Sequence, residues 1–481
     1  MLRKSIIGLT LLLVLTLLLT ACGTTSAPDD TDAEPTATTA AIEDEPATTD
    51  EEEPATTDEE EPEATDEEVP AAEPTVAPTP DVPEGVTTIK IVDWVPENIS
   101  SWANRWYRPF EEANPDIKIV HEQITGNYIE TVLTRLTGDT DIDLIFVAPD
   151  SVGSFLRAGA PLDLTPFIEQ DSEMLALDTY PQWTLDDYTT VRYPELEIGP
   201  GQYGLPVVIF VWEFWQNSDM LSAAGLSTPE RGWTWEDFAD MSAKLTDEST
   251  QQYGYQNQNW LLPLWPWVWQ NGGQVLNSDG TQLTIGSPES IEAFSFLQDL
   301  QLNEEVFVPI DMTAGANPIG FDTGNAAMIT RGNWNLDLSR DWTFQWDLSY
   351  PPMSTTEATM GEELGIIINK NSPKTEAAWR VLSWIASPDG QRSLAANDVV
   401  PNTEVMAEIG LAAAPDNVRN LVVPLAADPM VQSFPQWFRP AFTPNDLADR
   451  LSVLWTGEAQ AEELLPALEE EFNEALAEPL P

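Results

Sequence analysis

Nineteen tryptophans and 81 acidic side chains stand against one histidine and one cysteine in this chain. The tryptophans gather in groups: Trp212 and Trp215, Trp233 and Trp235, and Trp260, Trp265, Trp267 and Trp269. An aromatic face packs on the C–H patch of a ring while carboxylates and amides bond hydroxyls, so the two residue types together suit a neutral polyol. Most tryptophans in a domain of this size anchor a core, and roughly three to five are expected to touch a ligand. By placement the candidates are Trp269, Gln270 and Asn271 ahead of Gly272-Gly273, Trp94 closing the first strand, and Tyr128 in Gly126-Asn127-Tyr128. Glu213 is a further candidate, its plain alternative being a solvated strand residue.

Other chemistries are poorly supplied. A lone histidine, His121, removes any multi-histidine metal site, and a Ser-His-Asp triad would hang entirely on it. Glycoside hydrolysis needs two carboxylates at a set separation. With 59 acidic residues beyond Gly85 some pair always looks suitable, so the signal has little weight. The same region holds 18 basic residues, and so strong an excess of negative charge excludes nucleic acid and anionic membrane surfaces as partners.

The N-terminus gives an address. Arg3 and Lys4 precede an apolar run from Ile6 to Leu19, and Leu19-Thr20-Ala21-Cys22 follows. The run is shorter than the roughly 20 residues that span a bilayer comfortably, which favours a secretory signal. The arrangement resembles a bacterial lipoprotein signal over residues 1–22, with Cys22 as the lipidated residue and an extracytoplasmic location for the rest. As the only cysteine, it allows no intrachain disulfide, and the core must hold the fold unaided. Residues 23–85 contain no Lys, Arg or His and repeat Glu-Pro-Ala-Thr-Thr-Asp-Glu-Glu-Glu from Glu45 and again from Glu53. Such a segment cannot bury enough apolar area to offset chain entropy and reads as a disordered, extended acidic tether.

Beyond Gly85 the composition is that of a globular protein. Thr87 to Trp94 is predicted as a strand, and Ser101 to Asn114 as a helix with Trp102, Trp106 and Phe110 at spacing four, stopped by Pro115. Ile117 to Glu122 is a strand, Ile129 to Leu136 a helix, Asp143 to Val147 a buried strand and Ser151 to Ala158 a helix. This alternation argues for an α/β protein with a mostly parallel sheet covered on both faces.

Several segments, in order, resemble the extracellular solute-binding proteins of ABC importers, in particular the sugar-binding group that includes maltose-binding proteins. They are Phe110-Glu111-Glu112-Ala113-Asn114-Pro115-Asp116-Ile117, Asp141 to Asp150, Leu162 to Ile168, Tyr203-Gly204-Leu205-Pro206, and Thr234-Trp235-Glu236-Asp237-Phe238. Phe321 to Ile329 with Gly332 and Trp334, and Lys374 to Trp379 with Ser387-Pro388-Asp389-Gly390, continue the series.

The resemblance implies a two-lobe, periplasmic-binding-protein-like fold of type II with a hinge of several crossing segments. Residues 86–205 and 361–401 would form the N-terminal lobe, and 206–360 and 402–481 the C-terminal lobe. It implies a monomeric receptor, not an enzyme, that needs no cofactor and closes on a small solute, a sugar or oligosaccharide. Membrane permease subunits would be its partners, and the lipid on Cys22 its only link to the membrane. A secreted glycoside hydrolase and a stalked carbohydrate-binding adhesin are the alternatives. Residue by residue, Trp334 falls on the family's sugar-stacking position, Trp437 approximates another, and Asp150 matches a carboxylate that bonds sugar hydroxyls. Asp150 has a plain alternative in capping the following helix. Val207-Val208 and Trp215-Gln216 depart from the family pattern and imply a more apolar cleft.

Overall fold

The computed structural model describes residues 85–94, 103–138, 141–190, 193, 196, 198–258, 261, 263–278, 280–314, 317–336, 338–433 and 444–477. The signal with Cys22, the acidic tether, Trp102, Trp260 and Trp437 lie outside the described residues.

Nine strands form one curled, mixed sheet among the described residues. They are β1 (Thr87–Asp93), β2 (Ile117–Gln123), β3 (Leu144–Val147), β4 (Leu205–Asn217), β5 (Tyr253–Gln256), β6 (Ala326–Gly332), β7 (Trp346–Ser349), β8 (Thr359–Ile368) and β9 (Val431–Ser433). The main path runs β2-β1-β3-β8-β4-β6-β5, with β7 on β4 and β9 on β8.

At the N-terminal end β1 pairs in parallel with β2, Thr87 opposite Ile117 through Asp93 opposite Gln123, and with β3 on its other side. Side chains alternate faces along a strand, and the core shows it. Ile89, Ile91, Leu144, Phe146, Ile366 and Ile368 pack on one side with Trp106 and Phe110. Val92, Ile145, Val147 and Ile367 pack on the other with Val132, Phe155 and Tyr188. Both faces are covered, which is why these strands read as near-continuous apolar runs.

The helix expected over Ser101–Asn114 forms in two pieces, a π turn at Ala103–Tyr107 and an α-helix at Arg108–Ala113. Pro109 has no N–H for the α ladder, and its ring conflicts with the carbonyl one turn back, so the wider turn takes up the mismatch.

The two lobes are joined by long strands. β4 is 13 residues, about 43 Å at ~3.3 Å per residue. Its first half, Leu205–Val211, pairs antiparallel with β8, and its second half, Trp212–Asn217, pairs antiparallel with β6 and β7. Parallel pairing is confined to the flanks, at β1 with β2 and β3, β5 with β6, and β8 with β9. The tryptophan groups go mostly to the second lobe's core, where Trp212, Trp233, Trp235, Trp265, Trp267 and Trp269 pack with Phe214, Phe238 and Phe294.

Candidate functional site

The burial of the two crossing strands locates an opening. Of the 13 residues of β4 only Phe210 is partly open, and of the ten residues of β8 only Glu362 is. The register sets these two directly opposite each other. Opposed residues of an antiparallel pair share a face, so one spot on the joining strands is uncovered.

Trp334 lies beside that spot. It follows β6 in a short 3₁₀ turn, Asn333–Leu336, and its ring meets those of Phe210 and Trp212 edge-on at 5.3 and 4.9 Å between centroids. Three features fix the turn. Asn333 Oδ1 accepts from the Val211 N–H at 2.8 Å, Asn335 Nδ2 donates to the Gly332 carbonyl at 3.1 Å, and the indole lies over Gly332, where a Cβ would stand 1.8 Å from the ring. Only glycine leaves room for it.

Asp150 stands near enough for its charge to act on Glu362. It sits in the first turn of helix Pro149–Arg157, whose N-cap is Ala148. The capping work falls to Ser151, whose hydroxyl accepts from Ala148 N and donates to Ala148 O at 3.1 and 2.8 Å. Asp150 is thereby released from the capping role that its position suggested. Its edge is open to solvent, yet the protein packed around it displaces enough water to raise its carboxyl above the usual value. Burial, and then the charge of Asp150, push Glu362 up to about 8. Neither carboxyl has an ion pair with a described base.

The remaining expected residues have other recorded contacts. Trp94 is half-buried at the end of β1, its ring centroid 5.0 Å from that of Tyr128. Tyr128 acts as framework beneath it, its hydroxyl pointing at the carbonyls of Phe146 and Val92, 2.7 and 3.1 Å away. Trp269, Gln270 and Asn271 belong to the interior of the second lobe. Gln270 accepts from Trp235 Nε1 at 2.8 Å and donates to the Ala358 carbonyl at 3.0 Å. Asn271 donates to Glu289 O and Glu292 Oε2 and accepts from Ser354 Oγ, all at 3.0 Å. The fold already uses these amides.

Glu213 is fully buried on β4 opposite Arg331, but Arg331 turns to Asp322 at 2.6 Å. Burial lifts the Glu213 carboxyl well above its ordinary range, and it is not a solvated strand residue. Glu363 points away from Glu362 into a buried group with Asp187 and Tyr188, and is likewise raised by burial and by Asp187.

Sequence reasoning missed Phe210 and Glu362. The available signal was the acidic doublet Glu362-Glu363 inside the apolar run from Met360 to Ile368. With Glu362 present, the opening is less apolar than Val207-Val208 implied.

Two α/β lobes joined by long antiparallel strands, with side chains from both lobes converging at the crossing, define the architecture of a two-lobe binding protein. The chain belongs to the bacterial extracellular solute-binding protein family, whose sequence profile matches residues 93–392. Solved structures of the same fold include an ABC substrate-binding protein from Listeria monocytogenes in complex with cycloalternan, at 24% identity, TM-score 0.70, over 82% of this chain and 100% of that one. The maltose-bound MalE3 of T. maritima aligns at 19% identity, TM-score 0.64, over 80% and 99% of the two chains. A cyclic α-maltosyl-1,6-maltose binding protein from Arthrobacter globiformis aligns at 20% identity, TM-score 0.62, over 82% and 99%.

Proposed function

We propose that the protein is an extracytoplasmic receptor that captures a carbohydrate between its lobes and delivers it to the permease of an ABC importer. The observation that carries this reading is the paired opening at Phe210 and Glu362, flanked by Asp150 from one lobe and Trp334 from the other. A half-buried indole beside carboxyl groups is the division of labour that a sugar ring requires, an apolar face for its C–H patch and acceptors for its hydroxyls. A solute held from both sides favours the closed arrangement by its extra affinity for it, and closure is what a permease would read. The carbohydrates named for the related structures agree with this class of solute. Residues 86–205 with 361–401 and 206–360 with 402–481 are the two lobes on this reading, and the crossing of β4 and β8 supports the division. Cys22 carries the lipid, and the acidic segment up to Gly85 is the tether.

A thermal-shift screen of the purified full-length chain against mono- and oligosaccharides tests it. A true ligand raises the melting temperature by mass action. Release of reducing sugar from the same panel would replace the receptor with a hydrolase, and silence in both assays would overturn the receptor reading.

A further inference from the structure

We propose that Asp187, Glu363 and Ser433 form a proton-dependent latch between the lobes, closed while the two acids share a proton and released when both ionise. This deepens the receptor reading by giving its lobes a control, and it rests on the lobe division made there.

The placement follows from β8. Gly361, Glu363 and Gly365 alternate with their neighbours and share one face of the strand. A Cβ on Gly361 would stand 3.2 Å from the Trp183 ring, and one on Gly365 would stand 2.4 Å from the Tyr188 hydroxyl. The stretch from Trp183 to Tyr188, most of it in the helix Gln182–Asp186, therefore runs along this face, with both glycines making room for it. That brings Asp187 over Glu363, where the two carboxyls interact, and both residues are fully buried. The third member arrives from β9, whose last residue, Ser433, pairs with Gly361. Its hydroxyl donates to Asp187 Oδ2 at 3.0 Å. Asp187 and Glu363 fall in residues 86–205 and 361–401, and Ser433 in 402–481, so this bond crosses the proposed division beside a strand that joins the lobes.

Two acids in contact and out of water do not both carry charge without a base to relieve them. Among the described residues no Lys, Arg, His or backbone N–H bonds either oxygen of Glu363. The titratable groups acting on it are Asp187 and Tyr188 from the covering stretch and Glu362 beside it on β8. Tyr193 acts in turn on Tyr188, and Ile209, opposite Glu363 on β4, carries no charge. Burial, then the charge of Asp187, raises the Glu363 carboxyl well above its ordinary range.

One proton between the pair lets Asp187 stay against β8 and keep hold of Ser433. Once that proton leaves, two adjacent negative charges in a dry site repel each other. The simplest relief is for Asp187 to swing toward water, which breaks its bond to Ser433. The carbohydrate contacts proposed at Phe210 and Glu362 lie on the opposite face of the crossing, so the latch is separate from them.

Spin labels on Glu173→Cys and Glu236→Cys, both exposed and one in each lobe on that division, read the latch without any ligand. As the pH of the full-length chain rises from about 5 to about 9, the distance distribution should shift and broaden, and it should return when the pH is lowered. Glu363→Gln supplies a permanent N–H in place of the shared proton and should hold the low-pH distribution throughout. Ser433→Ala removes the grip but leaves the acids, so its distance response should be lost while its melting temperature keeps the parent's dependence on pH. That split separates a latch from a buried pair that only stabilises the fold. An equal response in the parent and in Glu363→Gln, or an unaltered one in Ser433→Ala, would overturn the latch. So would a parent distribution that stays fixed across pH. If a carbohydrate identified by thermal shift still moves that distribution, the receptor stands without its latch, and if neither pH nor carbohydrate moves it, both readings fail.

Discussion

Trp334 has no freedom to lie anywhere but over Gly332, because the turn that carries it is tied to β4 through Asn333 and Val211. A ring held this way loses little entropy when a ligand arrives, which is the condition for an energetic hot spot. Trp334→Ala should therefore weaken carbohydrate binding by about 2 kcal/mol with the far-ultraviolet spectrum unchanged, and unaltered affinity would remove Trp334 from the site.

Glu362 makes a second prediction at this scale, in the free protein. Its carboxyl titrates near 8 when folded and near the ordinary 4.5 when unfolded. Between those values the folded state holds the proton more tightly, so the stability that this carboxyl contributes is greatest below about pH 4.5 and is lost as pH rises toward 8. Glu362→Gln should flatten the decline in melting temperature across that window relative to the parent chain. Parallel slopes for the two would mean that the environment of Glu362 is not what the geometry implies.

At the scale of elements, β8 is the member least free to change. Gly365 lies where a Cβ would stand 2.4 Å from the Tyr188 hydroxyl and 2.7 Å from the Leu205 carbonyl, and the second of these is backbone that cannot swing away. Gly365→Ala should cost about 1–3 kcal/mol through overpacking, read as a lowered midpoint in urea. The second lobe depends instead on aromatic packing. Trp267 is buried among Phe238, Trp235 and Phe296, with ring centroids 5.1, 5.5 and 6.0 Å away, and Trp267→Ala should cost about 3–5 kcal/mol.

These elements differ in how far the sequence discloses them. β1, β2, β3 and the helices between them follow local periodicity, and each is legible within a residue or two. β4 and β8 are apolar runs whose partners lie far away in the chain, so their register, and with it the meeting of Phe210 and Glu362, cannot be read locally. The tryptophan groups mislead for the same reason. Spacing does not distinguish an indole in a core from one at an opening, and Trp269 with Gln270 and Asn271 went to the core.

For the whole molecule, β4 and β8 run across the proposed lobe division, so relative motion must in part be taken up in the twist of these strands near their crossing. Both lobes are acidic, and like charge pushes them apart at low ionic strength, while a ligand gripped by Asp150 on one side and Trp334 on the other draws them together. Paired labels report this directly. Glu173 and Glu236 are exposed, one in each lobe on the proposed division, and residue 22 is the only native cysteine. With Glu173→Cys and Glu236→Cys carrying spin labels, a saturating carbohydrate ligand should shift the measured distance distribution and narrow it. Salt should move the ligand-free distribution in the same direction, because screening over about 8 Å at physiological ionic strength weakens the repulsion. A ligand that binds tightly and leaves the distribution unmoved would show that capture needs no closure, and the permease would then have to sense the occupied site by other means.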